Sequence, residues 1–165
     1  MWTAELYGWH KSALNFLSYL VVAQSIAVAP HHSPELSQIR RRLRGLPHST
    51  LLHTLQEQLE ALSVAALAAD NTGRYIAANV SAMELTGYSR DELMRMSVRE
   101  LTPPMRHGSA SDMWSKFIQA GTQTGEYVLL RKDGTPLGVK YEAYASIAPG
   151  VHLSLLTALE MPSSI

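Results

Sequence analysis

The 165-residue chain contains no cysteine. That excludes a disulfide framework, a thiolate metal site and a cysteinyl adduct with a flavin or other chromophore, and it is neutral on compartment. An excess of one charge is missing too, since fourteen basic side chains balance fourteen acidic ones. A nucleic-acid partner would ask for a basic surplus, so none is expected. Charged residues make up 17% of the chain against 46% apolar, the composition of a folded globular protein rather than a disordered one. Catalytic motifs are absent: there is no Gly-rich phosphate loop, no G-x-S-x-G elbow and no H-E-x-x-H pair. Asp91, Glu92 and Asp112 read as helix-start carboxylates that stabilise through the macrodipole. The chain is not expected to be an enzyme.

Long apolar runs are scarce. The most apolar segment, Ala13 to Ala29, is shorter than the about 20 residues a membrane span needs, and it carries Asn15, Ser18, Gln24 and Ser25. The start, MWTAELYGWHK, places Glu5 ahead of Lys11 and makes a poor basic region for a signal peptide. These features favour a cytoplasmic chain whose first helix, carrying Leu14, Leu17 and Val21 on its apolar side, is buried against protein. A membrane-anchored regulator is the alternative.

Pro30 ends that helix, and Ser33-Pro34-Glu35 opens a second one to about Leu43. Its Arg40-Arg41-Arg42 run, with Arg44, reads as a solvated face favourably placed near a helix C-terminus rather than an anion site. Gly45, Leu46 and Pro47 break the chain again. Ser49 or Thr50 is the expected cap of a third helix carrying Leu51, Leu52, Leu55, Leu59 and Leu62, a heptad-like spacing too short to certify a coiled coil. His31, His32, His48 and His53 lack a carboxylate or thiolate at ligand spacing and read as connector histidines, so no metal is expected.

Beyond these helices, Ser63 to Ala69 reads as a strand entering the turn Asp70-Asn71-Thr72-Gly73, and Arg74 to Ala78 as its partner. Asn79 and Ser81 can cap a short helix that Gly87 stops, and Ser89 with Glu92 forms a capping box. Met94 to Leu101 is expected as another helical turn, ended by Thr102-Pro103-Pro104. Ser109 or Ser111 can cap a helix over Ala110 to Gln119. Two strands follow, Gly125 to Arg131 and Pro136 to Ile147, joined at Lys132-Asp133-Gly134-Thr135, and Val151 to Leu159 is the last.

The stretch DNTGRYIAANVSAMELTGYSRDEL (Asp70 to Leu93) resembles the signature of the PAS domain family. That signature is D-x-x-G-R, then Asn, a spaced Ala and Leu, and G-Y-S-x-x-E-L, met here at Asp70, Gly73, Arg74, Asn79, Ala82, Leu85, Gly87, Tyr88, Ser89, Glu92 and Leu93. GEYVLLRKDGTPLGVKYEAYAS (Gly125 to Ser146) is similar to the long hairpin that closes a PAS sheet. Met94 departs from the Gly that many relatives carry. The resemblance implies an α+β fold: a five-stranded antiparallel sheet with short helices on one face, preceded here by two or three helices. The expected organisation is a helical extension (1–62), a PAS-like domain (63–160) and a tail (161–165).

The same resemblance implies a signal-sensing and interaction module that binds a small ligand, a partner protein or nothing. Flanking helices in such proteins form dimer interfaces, so a homodimer is expected, with Leu14, Leu17, Val21, Leu51, Leu55, Leu59 and Leu62 as dimer or coupling candidates. Met83, Met94, Met96, Met113, Trp114, Phe117, Tyr127 and Tyr141 are the candidates to line a pocket, or else ordinary core. A haem-dependent gas or redox sensor is an alternative that would draw on His107 or His152, the latter otherwise a solvent-facing or partner-facing strand residue.

Overall fold

Alternating apolar positions and tight Gly turns produce five strands: β1 (Ala65–Ala69), β2 (Tyr75–Ala78), β3 (Thr122–Leu130), β4 (Pro136–Ala148) and β5 (Val151–Ala158). They form one sheet in the order β2-β1-β5-β4-β3, every pair antiparallel. Five helices accompany them among the described residues: α1 (Pro34–Leu43), α2 (His48–Glu60), α3 (Val80–Thr86), α4 (Arg90–Leu93) and α5 (His107–Ala120). The computed structural model describes residues 34–104 and 107–159, the side chains of 107–111 excepted. Leu14, Leu17, Val21 and the 161–165 tail lie outside the described residues. Among those described, no helix is long and apolar enough to cross a membrane.

Both faces of the sheet are covered. On one, Leu36, Ile39 and Leu43 of α1 and Leu51, Leu55 and Leu59 of α2 pack with Ala66 and Ala68 of β1, Tyr144 of β4, and Val151 and Leu153 of β5. Leu43, Leu55 and Leu59 are no more than 1% exposed. Burying each such side chain contributes about 1.5–3 kcal/mol. On the other face, α3, α4, α5 and the connecting turns enclose Leu67, Tyr75, Val139 and Leu156. Every residue of β1 is consequently buried, and its sequence AALAA keeps it thin enough to carry helices on both sides.

α2 runs almost directly into β1, and Asn79 fixes that junction. Its side-chain oxygen accepts from Ala82 N–H at 3.0 Å, capping α3, and from Ala66 N–H at 2.9 Å in β1. Its amide donates to the carbonyls of Leu59 (3.1 Å), Leu62 (3.4 Å) and Val64 (2.8 Å) at the end of α2. α3 then ends on Gly87, which takes φ 79° and returns its N–H to Met83 O, and the Ser89–Glu92 capping box starts α4. β2 is an edge strand whose outward backbone would otherwise be open. Gln56 of α2 covers it, donating to Ala78 O at 2.8 Å and accepting from Ala78 N–H at 3.2 Å. Arg90 donates to the same carbonyl at 3.1 Å and pairs with Glu60.

The structure corrects several sequence expectations about the elements. α2 opens at His48 with Pro47 at the cap position, not with Ser49 or Thr50, because Pro47 O already receives Thr50 N–H (3.0 Å) and Leu51 N–H (2.9 Å). Met94 to Leu101 is a set of turns rather than a helix, since Ser97 bridges Arg74, with Tyr75 N–H donating to Met96 O at 3.0 Å. β3 starts at Thr122, three residues before Gly125. Gly125 sits inside the strand opposite Tyr141, whose ring would lie 3.2 Å from any Cβ there.

Asn79→Ala is expected to lower unfolding stability by about 2–4 kcal/mol, from the lost cap and the buried Ala66 N–H left without its side-chain acceptor. Asn79→Asp should be at least as damaging at neutral pH, because it turns an acceptor toward the three carbonyls that the amide serves. Urea unfolding of the two variants beside the parent checks both.

Candidate ligand cavity

The inner face of the sheet and the helix α5 border a partly open cavity of about 130 Å3. Period-2 alternation supplies its floor: Leu67 and Ala69 from β1, His152, Ser154 and Leu156 from β5, Val139, Tyr141 and Ala143 from β4, and Gln123, Tyr127 and Leu129 from β3. α5 contributes Met113, Trp114 and Phe117, and the segment before it contributes Val98 and Thr102. Five of the eight candidate pocket residues therefore meet here: Met113, Trp114, Phe117, Tyr127 and Tyr141. Met83, Met94 and Met96 pack against the inner apolar cluster but do not line the cavity. Tyr75, Gln123, Ser154 and the aliphatic floor were not singled out from the sequence. Strand alternation was the signal that carries them, but alternation alone does not say which face encloses space.

His152 is the residue whose surroundings the sequence misplaces most. It is 2% exposed rather than facing solvent. Ser146 N–H donates to its Nδ1 at 3.1 Å, so the ring proton resides on Nε2, which donates to Asn71 Oδ1 at 2.9 Å. Trp114 stands edge-on to the ring at 5.4 Å and 77°, Phe117 at 5.9 Å and 69°. Trp114 in turn donates its indole N–H to Asn71 O at 3.0 Å, so the turn after β1 latches onto both α5 and β5. Burial lowers the His152 pKa from its ordinary value, opposed only in part by the Asp70 carboxylate. Ser146 itself takes φ 52°, the left-handed region, where β4 shifts register between Tyr144 and Ala148. Burial also raises the phenol pKa values of Tyr75 and Tyr141, keeping both protonated at neutral pH.

His152 does not suit the role of haem ligand. Both His152 nitrogens are engaged by the protein, and the cavity is smaller than the roughly 300–1,000 Å3 clefts that take drug-sized ligands. His107 opens α5, and its side chain lies outside the described residues. Among the described residues no group of His, Asp or Glu could hold a metal ion. The remaining coupling candidates fall elsewhere. Leu51, Leu55 and Leu59 face the outer side of the chain's own sheet, with Leu62 packed beside them, so a second chain meeting α2 would meet its other face.

A family model described as PAS domain matches residues 63–154. Solved structures with this fold include a PAS domain from Desulfitobacterium hafniense, with 19% identity and a TM-score of 0.56, covering 61% of this chain and 97% of that one. A domain of a sensory box sensor histidine kinase/response regulator from Geobacter sulfurreducens has 19% identity and a TM-score of 0.55, covering 68% and 98%. The Rhodobacter sphaeroides LOV protein, at 14% identity and a TM-score of 0.55, covers 79% of this chain and 70% of its own. No curated protein sequence matches the chain. At these identities the structural likeness shows the fold alone.

The depressed His152 pKa fixes the sign of a pH dependence. The unfolded chain takes up a proton near the ordinary value of about 6.5 and the folded chain only below it. This contribution to stability is therefore complete above about pH 6.5 and lost as the pH falls through the folded pKa. Urea midpoints measured between pH 7.5 and 5.5 should fall with pH, and His152→Gln should remove most of that slope.

Proposed function

The chain belongs to the PAS domain family, a family of signal-sensing modules, and from that premise we propose that it senses through occupancy of the inner cavity and relays the change through its N-terminal helices in a homodimer. The observation that carries this reading is the sharing of strands between the two sides. Leu67 and Ala69 of β1 line the cavity, while Ala66 and Ala68 of the same strand pack under α1 and α2. His152, Ser154 and Leu156 of β5 alternate in the same way with Val151 and Leu153. A strand cannot shift on one face without moving the side chains on the other. The Asn79 contacts then link β1 to the end of α2 without a flexible spacer.

Two-state relays of this kind need only a differential affinity for the two arrangements, so the reading includes no catalytic step. A cytoplasmic location belongs to the same proposal. A signalling partner protein would meet the helices or the exposed edge of β3.

Native mass spectrometry of the purified chain is expected to report a dimer, with any retained ligand as added mass. Ala143→Val, which adds bulk to the cavity, is expected to change amide exchange at the end of α2 and in β1 by several-fold. A monomer at high micromolar concentration, with exchange in α2 unaltered by that substitution, would count against the proposal.

A further inference from the structure

We infer that the cavity takes a small, uncharged molecule built on a single aromatic ring, and that it rejects carboxylates of the same shape. This rests on the reading of the cavity as a ligand site and goes on to name the chemistry of the ligand.

Size comes first. A cavity of about 130 Å3 compares with the engineered cavity of about 150 Å3 that admits benzene, and falls well short of a fused-ring cofactor. Charge comes second. No Asp, Glu, Lys or Arg is among the described residues that line it, and its one imidazole is held neutral by a donor on Nδ1 and an acceptor for Nε2. An entering carboxylate would give up its hydration and meet no cation in return, whereas a neutral ring gives up little.

Shape comes third. Trp114, Phe117 and His152 already meet at 55–77° to one another, and Tyr127 and Tyr141 meet at 6.5 Å and 85°. Such edge-to-face walls offer a further flat ring the tilted contacts aromatic groups prefer. The Trp114 and His152 nitrogens are spent on Asn71 and Ser146, so these residues present the ligand with ring rather than donor. Hydrogen bonding to a ligand falls instead to Gln123 and Ser154, whose amide and hydroxyl can both donate and accept, and to the neutral hydroxyls of Tyr75 and Tyr141. They suit a neutral amide or hydroxyl substituent.

Toluene, benzamide and benzoate separate these requirements, because benzamide and benzoate share a shape and differ in charge. Methyl NMR of the full chain at pH 7.5 would follow Leu67, Val139 and Leu156 while each probe is added to millimolar concentration. Toluene and benzamide are expected to shift those methyls saturably, with benzoate at least about tenfold weaker. Gln123→Leu should weaken benzamide several-fold and leave toluene unchanged, a comparison made within one folded variant. Benzoate binding as well as benzamide would overturn the inference and leave the ligand-site reading standing. If none of the three shifts these methyls, both fall.

Discussion

The carboxamide of Asn79 is where three parts of the chain meet. It is 1% exposed and makes five hydrogen bonds, to β1, to the start of α3 and to the carbonyls that close α2. An apolar side chain there would leave the buried N–H of Ala66 without the acceptor it has and α3 without its side-chain cap. Its two-sided chemistry, one acceptor and one double donor, is what lets α2 stop where β1 begins. The register of β1 against β5 and the placement of both face-covering layers follow from that stop.

From this anchor the sheet becomes a shared wall. Helices α1 and α2 use its outer face as their core, and the cavity uses the inner face of the same strands. The small residues of β1 make the wall thin, and the Gln56 and Arg90 bonds to Ala78 keep its β2 edge closed. Packing across residue 62 is therefore continuous, although the family motif begins at about that point. The two faces share the same strands, and close-packed interiors transmit strain rather than absorb it.

The ring nitrogens of Trp114 and His152 at the cavity are committed to the protein. His152 ties the left-handed turn at Ser146 to Asn71, and Trp114 ties α5 to the same Asn71. One asparagine in the first turn thus holds the wall helix and the central strand together. The imidazole is structural in this arrangement, neutral because both of its nitrogens are matched and burial disfavours its charged form. What remains for a ligand is aromatic surface and a few neutral hydrogen-bonding groups.

Local chemistry made much of this readable from the residues alone. Asn79, Gly87, Ser89 and Glu92 cap through bonds to near neighbours, so their spacing names them. The same holds for the Asp133-Gly134 turn and for the α1 boundaries at Pro34 and Leu43, and the PAS motif and α+β class follow from such signals in order. Long-range matters were not encoded that way. Alternation in β5 divided His152, Ser154 and Leu156 from Val151 and Leu153 but could not say that both sets are covered, because that depends on α1 and α2 returning over the outer face. Gly125 looks like a strand boundary until the Tyr141 ring lies across it. Met83, Met94 and Met96 have the right character for a pocket, yet only the fold decides which apolar side chains border space and which border one another. Bonds within a few residues are fixed by sequence order; enclosure is fixed by what arrives from elsewhere in the chain.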